Sequence, residues 1–174
     1  MATASPALPG ALSVDPLLVD AIVSAVESCL SMCDARARCV GVTTVPVRDP
    51  GSITGIIGVH GDVSGFVTVN MAEDVARALV GGLLQDRFDA LSPQVVDGAG
   101  EITNIIAGGV KKGVLGTPWG FSHVTVPSVI IGNNYQITYT KGLHYAAVTF
   151  EHENDRTLLL DQRLLHVAIS LLRL

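Results

Sequence analysis

SPQVVDGAGEITNIIAGGVKKGVLGTPWGFSHVTVP, residues 92–127, carries the pattern on which the fold of this chain turns. Ser92 followed by Pro93 is a helix start, pairing a capping hydroxyl with a ring that fixes the first helical φ. At about 100° per residue, Asp97, Glu101, Asn104 and Gly108 project near 0°, 40°, −20° and 20°, within a sector about 60° wide. Ile102, Ile105, Ile106 and Val110 take the other side, between about 80° and 220°. The spacing predicts an amphipathic helix from Ser92 to about Val114. Its exposed face would offer an acid, an amide and several glycines. Each helical Gly costs about 1 kcal/mol against Ala, so Gly98, Gly100, Gly108 and Gly109 ask for a reason beyond solvation. The loop Gly116-Thr117-Pro118-Trp119-Gly120 ends the helix.

Upstream, ITGIIGV (53–59) and GFVTVN (65–70) flank a turn over 60–64, which suggests a β-hairpin. Asn70 reads as the cap of a following helix to about residue 84, with Glu73 at the reciprocal position of a capping box. Asp15-Pro16 opens a first helix near 16–33, where Leu18, Ile22, Ala25, Val26, Cys29 and Cys33 recur at helical spacing. Residues 38–48 read as a strand or strand-like connector. Downstream, FSHVTVPSVII, QITYT and HYAAVTFEHE read as three strands. From Thr157 to Leu174, Leu158, Leu165, Ala168 and Leu172 suggest a terminal helix, with a strand over Leu158–Leu160 as the alternative. Helix, strands, two helices and strands make an α+β fold, with helices on one face of a largely antiparallel sheet.

At 174 residues the chain suits one domain with a substantial core. Hydrophobic residues are 48% and charged residues 16%, with mean hydropathy +0.46. No apolar run is long enough for a transmembrane helix, so the apolar surplus points to surface buried between subunits. Residues 1–14 lack the basic start and apolar centre of a signal peptide and read as a flexible tail. A net charge of −5 and pI near 5.4 argue against nucleic acid as a partner. Cys29, Cys33 and Cys39 form an odd, unpatterned set typical of a reducing cytoplasm. Cys29 and Cys33 have no second ligand pair at zinc spacing, so they read as small buried hydrophobes. No metal site is expected.

Asp97, three residues, Glu101, two residues, Asn104, 22 residues, Pro127: this series resembles the signature of the CheC/CheX/FliY phosphatases of bacterial chemotaxis. The hairpin and the helix after it also resemble the CheX branch, so the likeness covers about 15–150. The single copy of the motif favours that branch. On this resemblance, residues 15–151 form the CheX-like domain and 152–174 a C-terminal extension, expected to be helical.

The resemblance implies a substrate, the aspartyl-phosphate of a CheY-like response regulator, and a homodimer that pairs or exchanges strands. An acyl phosphate is already activated, so its hydrolysis needs a water placed in line with phosphorus rather than a nucleophile. Asn carries both donor and acceptor, suited to orienting water. Asn104 is therefore the expected water-positioning residue, and Glu101 the partner of the regulator's active-site lysine. Asp97 takes a supporting or docking role, alongside Pro127. Gly98, Gly100 and Gly108 would let the helix backbone approach the regulator. The chain needs no cofactor of its own, because the regulator brings its Mg2+. His123, His144 and Trp119 read as structural. The alternative function is a non-catalytic dimerisation or adaptor module that binds a regulator without hydrolysing its phosphate.

Overall fold

The structure, a computed structural model, describes residues 14–47, 51–133, 135, 137, 142–153 and 157–174. Its helices are α1 (Pro16–Met32), α2 (Glu73–Leu84) and α3 (Pro93–Gly113). Its strands are β1 (Ala37–Thr43), β2 (Ile53–Gly61), β3 (Val63–Met71), β4 (Phe121–Val124), β5 (Ser128–Ile131), β6 (His144–His152) and β7 (Leu164–Arg173). A 3-10 turn over Leu160–Arg163 leads into β7. The expected tail over 1–14 lies outside the described residues except for Val14, as does most of the strand expected over QITYT.

The strands form one sheet in the order β1-β6-β7-β3-β2, with β4 and β5 both paired to the outer edge of β2. Every pairing is antiparallel. Alternate strand residues, among them Ile53, Ile57, Val67, Val69, Val148, Phe150, Val167 and Ile169, join one buried cluster with the apolar faces of the helices. Leu18, Ile22, Ala25, Val26 and Cys29 supply the α1 share, and Ile102, Ile106 and Val110 that of α3. The α+β expectation holds: helices pack on an antiparallel sheet. Among the described residues no helix is long and apolar enough to cross a membrane.

Two sequence expectations are corrected. The tail from 152 is not a helical extension. Residues 164–173 are a strand at the heart of the sheet, paired with β3 from Met71↔Leu165 to Val63↔Arg173 and with β6 on its other side. His166 to Leu171 are all buried, so this strand is covered on both faces and lacks the polar-apolar alternation that would have marked it. Asn70, in turn, caps no helix. The N-cap of α2 is Ala72, without a side-chain bond. Asn70 is 1% exposed within β3. Its Oδ1 accepts from Gly51 N at 2.8 Å, while Nδ2 donates to Gly51 O at 2.9 Å and Thr54 Oγ1 at 2.7 Å. A buried amide is worth most where all its groups are satisfied, and here it stitches the start of β2 to β3.

Further polar groups lie within the sheet. Thr149 Oγ1 and His166 Nδ1 are 2.8 Å apart, and burial pushes His166 down to a pKa of about 4. Glu151 on β6 bridges Arg38 of β1 and Arg163 of the 3-10 turn, each at 2.7 Å. The hydrogen bonds from Arg38 hold its carboxyl below the usual range, with Arg163 adding to the effect.

Candidate functional site

Helix α3 begins as its residues dictate. Ser92 Oγ accepts from Val95 N at 3.3 Å, Pro93 takes the first turn, and Lys111 and Lys112 face the C-terminal dipole. Its buried residues are Val95, Gly98, Ala99, Gly100, Ile102, Thr103, Ile106, Ala107 and Val110. Asp97, Glu101, Asn104 and Gly108 are exposed. Among the described residues the side chains of Asp97, Glu101 and Asn104 have no hydrogen-bond or ion-pair partner within the chain. These three groups therefore stand on one open helical face, free to take an external partner. A cleft of about 690 Å³ opens elsewhere, beside Arg77, Phe88 and His152, and none of the three lines it.

The glycines divide by location. A Cβ on Gly98 would lie 2.5 Å from Val80 Cγ1 of α2, and one on Gly109 2.7 Å from Ala25 Cβ of α1. Both serve packing within the protein, which corrects the expectation that Gly98 faces a partner. Gly100 is buried too: its missing Cβ would sit 3.5 Å from Val129 Cγ2 and 3.8 Å from Pro127 Cγ. At Gly108 alone of these four is there open space, with nothing within 4 Å among the described residues.

Pro127 occupies an irregularity in the edge strand. Val59 pairs with Val124 and Ile56 with Ser128, so Thr125, Val126 and Pro127 oppose only Ile57 and Gly58. The extra residue is a bulge, a position where a proline costs no ladder bond. Thr125 pins it, donating its N–H to Gly58 O and accepting from Gly58 N at Oγ1, both at 2.9 Å. Pro127 thus lies against the motif helix at Gly100, and the 22-residue interval to Asn104 is the path through the Trp119 loop and β4.

Trp119 is buried, donates from Nε1 to Asp15 Oδ2 at 2.6 Å, and packs edge-on to His144 with 4.7 Å between ring centroids. His123 is exposed, 2.7 Å from Ser122 Oγ. Cys29 and Cys33 are buried, and their mutual hydrogen bond drives the Cys29 thiol up and Cys33 down. Among the described residues no group of three or more potential ligands is placed to hold a metal.

Sequence reasoning passed over Gly55 and Thr103. Thr103 is fully buried, donates Oγ1 to Ala99 O at 2.7 Å, and fills the space that a Cβ on Gly55 would need. A glycine inside a strand pattern is the signal for such a close approach.

Comparison with protein families matches residues 53–151 to the family described as Chemotaxis phosphatase CheX. Among curated proteins none matches. Among solved structures, the chemotaxis protein CheX from Vibrio vulnificus is similar with TM-score 0.73 at 20% identity, covering 88% of this chain and 98% of that one. CheX from Desulfovibrio desulfuricans gives the same TM-score, identity and coverage. The CheX in a CheX-CheY-BeF3-Mg complex from Borrelia burgdorferi is similar with TM-score 0.69 at 22% identity, over 92% of this chain and 99% of that one.

Proposed function

This chain belongs to the CheX family of chemotaxis phosphatases, and we propose that it hydrolyses the aspartyl-phosphate of a CheY-like response regulator. The observation that carries the proposal is the pair Glu101 and Asn104, without a partner among the described residues and less than one turn apart on the open face of a helix whose other sides are packed. An exposed site on a rigid element suits an enzyme that completes another protein's active centre rather than enclosing a small substrate. The similar Borrelia protein, solved in complex with CheY, BeF3 and Mg, supports the choice of partner.

In the proposed reaction the Asn104 amide holds a water in line with phosphorus. A water oxygen–phosphorus bond forms as the bond from phosphorus to the aspartyl oxygen breaks, releasing phosphate and a free carboxylate. Mg2+ and a lysine of the regulator compensate the charge. Glu101 pairs with that lysine and fixes the register. Asp97 supports docking, and Pro127 supports α3 from the edge strand. The free cysteines suit a reducing cytoplasm. Among the described residues nothing pairs with the outer edges of β1 and of β4–β5, and these offer ladders for the strand-sharing homodimer we also propose.

The assay follows loss of acyl phosphate from candidate regulators. Wild type should accelerate it, Asn104→Ala should cut turnover by about a hundredfold, and Glu101→Ala should also weaken docking. A wild-type protein that binds a phosphorylated regulator without shortening its phosphate lifetime would establish the adaptor reading instead.

A further inference from the structure

We infer that Gly55 on β2 is a positioning residue for Asn104, because its missing side chain sets how deeply α3 seats on the sheet. This inference rests on the role proposed for Asn104. A Cβ at Gly55 would lie 1.8 Å from Thr103 Oγ1, 2.7 Å from its Cβ and 2.8 Å from its Cγ2. Thr103 immediately precedes Asn104, and it cannot swing aside at low cost. It is β-branched, fully buried, and tied to Ala99 O at 2.7 Å. Gly55 is held equally firmly, paired with Val69 on one side and Val129 on the other.

The same turn has a second rest on the sheet. Val129, the partner of Gly55 in register, also lies against Gly100, with Pro127 beside it. Gly100 precedes Glu101 as Thr103 precedes Asn104. Both proposed site residues thus follow a residue packed directly on the sheet, Thr103 through its own side chain on Gly55 and Gly100 beneath the side chains of Val129 and Pro127. On the helix's remaining sides Gly98 meets Val80 and Gly109 meets Ala25 with equally little room. A methyl added at Gly55 would fall under 3.0 Å from three atoms of Thr103, a separation that forces a shift, and outward movement of α3 is the relief we infer. A displacement of about 1 Å in a group that aligns a nucleophile costs on the order of a hundredfold in rate, whereas an exposed face moved as a body can still meet its partner.

The test compares wild type, Gly55→Ala, Thr103→Ala, the double variant and Asn104→Ala on a regulator that the wild type dephosphorylates. Turnover is read separately from affinity for the beryllofluoride-loaded regulator. Gly55→Ala should lose about a hundredfold in kcat with affinity within about threefold of wild type. The double variant, which removes Oγ1 and Cγ2 from the clash, should regain about tenfold of that loss. A crystal structure of Gly55→Ala should show α3 displaced outward.

Four results would overturn the inference: wild-type kcat in a folded Gly55→Ala, no recovery in the double variant, kcat and affinity falling together, or loss of the thermal transition in both Gly55 variants while Thr103→Ala keeps it. Unchanged turnover in Asn104→Ala sinks the underlying role of Asn104 instead, and the displacement of α3 is then decided by the crystal structure alone.

Discussion

Among the described residues a Cβ at Gly108 meets nothing within 4 Å, whereas at Gly98 it falls 2.5 Å from Val80 Cγ1. The two glycines of one helix therefore respond oppositely to the same change. Gly108→Ala should stabilise the fold by about 0.5–1 kcal/mol, because alanine loses less backbone freedom in a helix. If the regulator approaches the backbone there, the same variant weakens binding. Gly98→Ala should destabilise by about 1–3 kcal/mol through overpacking against α2. Urea denaturation followed by Trp119 fluorescence measures both. Helical periodicity was enough to place Asp97, Glu101, Asn104 and Gly108 on one face, because angle follows from spacing alone. The same spacing puts Gly98 and Gly109 at about 100° and 120°, on the apolar side, but it does not decide Gly100, at about −60°, whose burial depends on Val129 and Pro127 arriving from elsewhere in the chain.

Among the elements, β3 depends on partners at both of its sides, and Asn70 and β7 are places where the structure departs from the sequence expectation. Asn70 followed by Glu73 has the composition of a helix start, and only the arrival of Gly51 and Thr54 shows where its amide bonds go. Asn70→Ala leaves the backbone N–H and C=O of Gly51 without that partner, and should cost about 1–3 kcal/mol in a denaturant titration. β7 escaped recognition for another reason. A strand buried on both faces shows a continuous apolar run, which periodicity does not distinguish from a buried helix. Removing residues 157–174 takes away the common neighbour of β3 and β6. The truncated chain should show no cooperative thermal transition by circular dichroism. The hairpin, by contrast, was legible because its turn and its two strands are adjacent in sequence.

For the molecule as a whole, His166 makes stability depend on pH. Its folded pKa of about 4 lies below the ordinary 6.5, so the unfolded chain binds the proton first as pH falls. Stability from this group is complete above about pH 6.5 and is lost progressively down to about pH 4, amounting to on the order of 3 kcal/mol. His152, pushed down chiefly by burial, acts in the same direction. Melting temperatures between pH 7 and pH 4 should fall in wild type and fall less in His166→Gln. A flat profile would show that His166 stays accessible to protons in the native state.

The strand order carries a consequence for synthesis. β3 is made early and β7 last among the described elements, yet they are neighbours in the middle of the sheet. As the chain emerges from the ribosome, the β2–β3 hairpin can close locally while β1 and β6 still lack the strand that links them to it. The two halves are joined only when residues 164–173 have left the exit tunnel and inserted between them. Until then the inward edge of β3 is open to other nascent chains, so crowded translation is a stage at which this fold is exposed to aggregation.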